Sequence, residues 1–268
     1  MKTLCEEQAR RDLTALCRRM YERGWVANHD GNASIRLDEG RILCTPTALS
    51  KGEIAPELLL VVDLQGQVLS GTRKTFSELS LHLAAYRARE DVRAVLHAHP
   101  PTASGFAVAG LSLDPPFMPE AVVSLGASIP LSEFVLPYGE AGAAPLAPHL
   151  DDGDAFLLAS HGVLTLGPDA WTAFYRLELV EHLARIALVA RQLGGPVPLS
   201  DAHVSELLER RKKAGLGAAG RAISPEGGGS PPMGRMVGTC SEPPASTPPS
   251  SLEQIIAAEV ARVLGPSR

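Results

Sequence analysis

The stretch VLHAHPP, residues 95–101, settles the reading of this chain. Side chains alternate faces along a β-strand, so His97 and His99 project to the same side one pleat apart. Pro100 and Pro101 stop the strand directly afterwards, which places the pair at a sheet end, where sites open to solvent. Two imidazoles so arranged can hold one cation at about 2.0–2.1 Å each. The alternative is a pair of unrelated strand histidines.

Around this strand the pattern is mixed. Residues 6–23 read as an amphipathic helix with Ala9, Leu13, Leu16 and Met20 on one face. The runs ASIRL, RILCT, LLLVVDL and QVLSG, separated by turn residues, read as antiparallel strands joined by hairpins. Residues 77–89 read as helix, 93–99 as strand, 129–135 and 155–160 as further strands, and 170–193 as a long helix. Strands and helices without strict βαβ alternation predict one α/β domain, a central antiparallel sheet flanked by helices, over residues 1–213. From residue 214 to 250, 20 of 37 residues are Gly, Pro or Ser, which predicts a linker too poor in apolar surface to fold. Residues 251–268 then place Leu252, Ile255, Ile256, Val260, Val263 and Leu264 on one helical face, between a capping Ser251 and Gly265-Pro266.

Composition excludes several classes. The formal net charge of −5 and the lack of any basic run argue against binding nucleic acid, and aromatics at 4 % leave few stacking platforms. No stretch approaches the roughly 18 apolar residues that span a bilayer. The opening MKTLCEEQARRDL turns acidic too early for a secretory signal. Cysteines 5, 17, 44 and 240 form no C-x-x-C pair, and read as free thiols of a cytoplasmic protein.

Two companions bear on the histidine pair. His161 follows the apolar run AFLLAS and precedes Gly162, where a strand leaves the sheet. Glu78 opens a helix, either as the return partner of a Thr75-x-x-Glu78 capping box or as a carboxylate beside a cation. Three histidines leave a fourth position for water, substrate or a carboxylate, as in catalytic zinc sites. The loops HDGNAS (29–34) and TPTALS (45–50) can aim N–H groups and hydroxyls at an anion. His29 and His149 read as solvated, His82 as core or support, and His182 as structural.

The blocks GNASIR, CTPTALSKGEI, SELSLHLAAYRAREDVRAVLHAHPPTA, PEAVVSLG-x-x-IPL and ASHGVLTLG, in order across residues 6–195, resemble the class II aldolase/adducin family. The resemblance implies an α/β/α sandwich around a mostly antiparallel sheet, in a homotetramer with active sites between subunits. It implies one Zn2+ per subunit on His97, His99 and His161, with Glu78 as resting ligand and proton shuttle. The implied activity is cleavage of a ketose 1-phosphate, such as L-fuculose 1-phosphate, to dihydroxyacetone phosphate and a small aldehyde such as lactaldehyde. The phosphate is then expected near Gly31, Asn32, Thr47, Ala48, Phe76 and Ser77.

The chain departs from the family pattern at three places. Ala48 stands where the family usually has Gly, and Phe76 where it has Ser, adding bulk close to the metal. Glu120 falls where the aldolases carry a proton-donating tyrosine from a neighbouring subunit, with Tyr138 near but not aligned; Glu120 either acts as an acid or lines the pocket. These departures keep epimerase, dehydratase and decarboxylase chemistry open, and a non-catalytic adducin-like scaffold is the reading of another class. The tether and terminal helix resemble peptides that load enzymes into bacterial microcompartments, which implies shell or cargo partners for residues 251–268 and a place in the compartment lumen.

Overall fold

The computed structural model describes residues 3–134, 140–151 and 153–217. The chain divides into two units, Met1–Val237 and Gly238–Arg268, and the description concerns the first. Of the linker expected over 214–250, residues 218–250 lie outside the described residues, as does the whole of the helix expected over 251–268.

Helix α1 (Glu6–Glu22) buries Ala9, Leu13, Leu16, Cys17 and Met20, the three-and-four spacing of one helical face, and carries Glu6 and Glu7 at its positive end. The hairpin strands follow as β1 (Asn32–Arg36), β2 (Ile42–Cys44), β3 (Leu60–Val62) and β4 (Val68–Ser70). After helix α2 (Leu79–Ala88) comes β5 (Ala94–Ala98), then α3 (Pro101–Val108), α4 (Pro119–Leu125) and β6 (Leu131–Ser132). A 3-10 stretch, Glu140–His149, leads to β7 (Ala155–Leu158), β8 (Gly162–Gly167), α5 (Ala170–Gln192) and α6 (Asp201–Lys213).

The eight strands form one sheet in the order β4-β3-β2-β1-β5-β8-β7-β6, antiparallel except for the parallel β6–β7 pair. Every residue of β1, β5 and β8 is buried, as in central strands covered on both faces. The pleat divides the apolar side chains between two layers. Ala33, Ile35, Leu96, Ala98 and Val163 pack with α1, α3, α4 and α5, while Val95, Leu164, Leu166 and Phe156 pack with α2 and the 3-10 stretch. The result is the expected α/β/α sandwich.

Several elements were not legible in advance. β8 (GVLTLG) is a buried run bounded by glycines, with no polar alternation to mark it. Pro100-Pro101 ends β5 and at the same time starts α3, since a first-turn proline has no N–H to lose. The cap for α3 comes from another helix: the buried Glu181 carboxylate of α5 accepts from the N–H groups of Thr102 (3.1 Å) and Ala103 (2.9 Å). The strand expected over 129–135 is only the pair Leu131–Ser132 among the described residues. Cys17 and Cys44 are free, buried thiols, pushed up to about 12 by desolvation.

One buried carboxylate ties distant elements together. Asp154, fully buried ahead of β7, meets Arg89 (2.8 Å) after α2, Arg176 (2.8 Å) of α5 and Arg211 of α6. Burial alone would raise its pKa, but the guanidiniums of Arg176, Arg89 and Arg211 outweigh that and hold it below the usual carboxylate range. Arg211 also donates to the carbonyl of Val123 in α4 (2.8 Å), so α6 is anchored by charge rather than by an apolar stripe. Asp154→Asn removes a counter-charge shared by three buried guanidiniums, of which Arg89 keeps Asp91. It should lower unfolding free energy by about 3–5 kcal/mol in denaturant titration, and a loss below about 1 kcal/mol would contradict this account.

Candidate metal centre

Antiparallel pairing gathers the site. Asn32 at the start of β1 stands opposite His97 at the end of β5, and His97 stands opposite Leu164 near the start of β8. The loop before β1, the residues after β5 and the turn before β8 therefore emerge at one end of the sheet. His97 sits on the strand, His99 one residue beyond it, and His161 on the β7–β8 turn, beside Ser160 in the left-handed region (φ 53°).

The three imidazoles converge, with one candidate ligand nitrogen from each lying within 4.8 Å of the others. Ring centroids are 4.5 Å apart for His97–His161, 4.9 Å for His97–His99 and 5.1 Å for His99–His161. Glycines permit this closeness. A Cβ on Gly162 would lie 2.5 Å from His99 Cδ2 and 2.6 Å from the carbonyl oxygen of Ala98. At Gly31 (φ 67°) it would meet the Val26 side chain and the carbonyl oxygen of His97.

The outer nitrogens of two rings are already committed. His97 Nδ1 donates to the carbonyl of Val163 (3.0 Å), and His99 Nδ1 faces Asp30 Oδ2 (3.0 Å). Both partners are acceptors, so both Nδ1 atoms carry hydrogen and both Nε2 atoms turn inward, 3.1 Å apart. Burial, then the His161 and His99 rings, push the pKa of His97 well below its ordinary value; burial and His99 also lower that of His161. Two imidazole Nε2 atoms this close are held together favourably by a proton or a metal ion between them. Two imidazole nitrogens sharing one tetrahedral zinc stand about 3.3 Å apart. The donor set therefore fits a divalent cation.

Glu78 occupies the N-cap position of α2, yet its side chain makes no capping bond, so the capping-box alternative does not hold. Its carboxylate instead accepts from Ser77 Oγ (2.7 Å) and Asn32 Nδ2 (3.4 Å) and lies 3.8 Å from His161 Nε2. Asn32 is buried, and its Oδ1 has no partner among the described residues.

The expected phosphate loops adjoin one another. Pro46 bridges to Thr75, Thr47 N–H donates to the carbonyl of Lys74 (3.0 Å), and Gly31-Asn32 joins them through Glu78. Ala48, where the family has glycine, is exposed and left-handed at φ 55°. The Phe76 ring is not free bulk over the metal: it is 7 % exposed, packed in the α2 layer edge-on to His82 at 5.0 Å. Glu120 is exposed in the first turn of α4, and among the described residues nothing hydrogen-bonds it to the histidines. Tyr138 lies outside the described residues. His82, buried with Nδ1 2.7 Å from Ser34 Oγ and its pKa lowered to about 3 by desolvation, is structural.

Two residues went unrecognised in the sequence. Asp30 contacts His99 from a turn that reads as an ordinary loop. Lys51, 2 % exposed, donates from Nζ to the carbonyls of Leu49 (2.9 Å) and His29 (3.1 Å). Desolvation lowers its pKa, partly offset by Cys17, Asp30 and Glu78.

Since an alanine at positive φ is strained, Ala48→Gly should leave the protein as stable or stabilise it by up to about 1 kcal/mol in chemical denaturation. A clear destabilisation would show that the turn is held by something other than its backbone conformation.

Comparison with known proteins agrees with this geometry. Residues 11–188 match the family described as Class II Aldolase and Adducin N-terminal domain. A 3-oxo-tetronate 4-phosphate decarboxylase of Haemophilus influenzae is 33% identical over 210 residues, 75% of this chain and 96% of that protein. An L-fuculose phosphate aldolase of Methanococcus maripaludis is 30% identical over 181 residues, covering 66% and 95%. Among solved structures, an L-fuculose 1-phosphate aldolase superposes with a TM-score of 0.73 at 27% identity, over 78% of this chain and 98% of that one. With three histidines converging at the end of the same sheet, the chain belongs to the class II aldolase and adducin family.

Proposed function

We propose that this protein is a zinc-dependent aldolase that cleaves a ketose 1-phosphate, of the L-fuculose 1-phosphate kind, to dihydroxyacetone phosphate and a small aldehyde such as lactaldehyde. The observation that carries the reading is the inward-facing trio His97, His99 and His161 with Glu78 beside it. A divalent cation held by these residues supplies Lewis-acid stabilisation of the negative charge that develops on a substrate oxygen.

The rest falls to the chain. In cleavage, a base takes the proton of the C4 hydroxyl, the C3–C4 bond breaks, and its electron pair passes into an enediolate. Glu78 returns a proton to C3, so one proton is lost and one gained. Its partial burial, with a side chain 17% exposed, limits competition from water. Gly31, Asn32, Thr47, Ala48 and Ser77, with the backbone of Phe76, form the phosphate cradle, a role for which their adjoining loops speak. Glu120 is the candidate acid–base group opposite Glu78, from a neighbouring subunit of a homotetramer.

A second reading keeps the metal and changes the reaction to decarboxylation of a 3-oxo acid phosphate. The 33% identity to the Haemophilus decarboxylase favours it, as does a carboxyl residue at position 120. Product analysis separates the two. The aldolase reading expects about one divalent metal per chain, dihydroxyacetone phosphate from the ketose 1-phosphate, and a fall in kcat/KM of at least ~100-fold in His97→Ala. Full activity in His97→Ala overturns the metal-dependent readings, and carbon dioxide from the 3-oxo acid without any retro-aldol product favours the second.

For residues 251–268, the single apolar helical face supports docking on the shell of a bacterial microcompartment. An isolated helix of that length is marginal in water and gains stability from a partner surface. Fused to a fluorescent protein, this segment should co-localise with co-expressed shell proteins; diffuse fluorescence overturns the assignment.

A further inference from the structure

The loop before β1 carries more than the glycine and asparagine of the phosphate cradle. His99 lies beyond the end of β5, held through its backbone N–H to the carbonyl of Trp25 (2.9 Å). Its side chain is 27% exposed, whereas His97 is fully buried and locked by the Val163 carbonyl. Packing therefore holds the His99 ring less tightly than that of His97. Among the described residues, the group that fixes it is Asp30, with Oδ2 3.0 Å from Nδ1. The other oxygen of Asp30 accepts from Ala27 N–H at 2.5 Å, and the Asp30 N–H donates to the Ala27 carbonyl at 3.0 Å, so this carboxylate has little freedom to swing away.

The loop turns through two left-handed residues, Gly31 (φ 67°), where that conformation costs a glycine little, and Asn28 (φ 49°), where it costs a non-glycine residue more. Lys51 anchors this loop from the neighbouring one, its Nζ bridging the carbonyls of His29, next to Asp30, and Leu49, next to Ala48. Being buried, this ammonium is not a solvated surface charge, and removing it leaves two carbonyls without their donor.

We propose that Asp30 and Lys51 are positioning residues of the metal centre, Asp30 by orienting His99 and Lys51 by pinning the loop that carries Asp30. The inference rests on the metal reading above. A carboxylate on the outer nitrogen of a metal-binding histidine fixes its tautomer and raises its basicity. Lys51 acts one step further out: among the described residues its side chain donates to the carbonyls of His29 and Leu49, and not to His97, His99 or His161.

The test uses the full chain with Zn2+ and Co2+ as probes. Zinc affinity is measured by competition with a chromophoric chelator, ligand geometry by the visible absorption of the Co2+ form, and folding by the thermal midpoint of the metal-free protein. Asp30→Ala should weaken zinc binding by ~10–100-fold and alter the Co2+ spectrum, with Asp30→Asn intermediate. The metal-free midpoint should stay within about 3 °C. Lys51→Met should also weaken zinc binding, but by less in the Asp30→Ala background than alone, the mark of two residues acting in series. Should Lys51→Met not fold, Lys51→Arg, which keeps the charge but alters the donor geometry, takes its place in the cycle. Zinc affinity within twofold of the native protein in Asp30→Ala, or full additivity of the two substitutions, overturns the inference while leaving the metal reading intact. A native protein that binds no zinc overturns both.

Discussion

Two imidazole nitrogens that face each other at 3.1 Å, each on a ring whose other nitrogen is already spent, are the constraint around which this molecule is arranged. Two such nitrogens repel unless a positive charge lies between them. Holding them there in advance takes a scaffold stiff enough to resist that repulsion. The scaffold is the middle of an eight-stranded sheet, where β1, β5 and β8 are buried on both faces and in antiparallel register. Antiparallel order matters because it returns three separate chain segments to the same sheet end, which a parallel arrangement would not do without intervening crossovers.

Charge is used the same way elsewhere in the fold. Glu181 reaches from α5 to cap α3, and Asp154 gathers arginines from three regions of the chain. Each is a buried carboxylate whose desolvation is offset by donors brought from far along the sequence. The candidate centre extends this pattern: Asp30 serves His99 across 69 residues, and Lys51 joins the loop before β1 to the loop after β2. What distinguishes it is the small side chains, Gly31 and Gly162, that let backbone and rings approach within van der Waals limits.

Family membership narrows the chemistry without selecting a substrate, because the relatives include both a phosphate-sugar aldolase and a phosphate-sugar-acid decarboxylase. The residues that differ from the aldolase pattern bear on that choice unequally. Phe76 turns its ring into the apolar layer beside His82, so its bulk is absorbed by the core. Ala48 keeps a glycine-like backbone conformation, so the turn survives the substitution. Glu120, exposed on the first turn of α4, is the departure that keeps the identity of the acid open.

Periodicity alone was enough to place α1, the hairpin strands, α5 and the His97–His99 strand, since alternation and three-and-four spacing are local properties of the chain. The same local logic put His161 at a strand exit and Glu78 at a helix start. It was blind to β8, whose glycine-bounded run buried on both faces shows no alternation, and to α3, whose opening proline reads equally as a stop. It gave Asp30 and Lys51 no role, because His99 lies 69 residues from Asp30, and His29, whose loop Lys51 pins, lies 22 residues from Lys51. Which nitrogen of each histidine turns inward, and which carboxylate faces it, depends on hydrogen bonds across strands and loops. Local pattern names the residues that can do the chemistry; only long-range packing aims them.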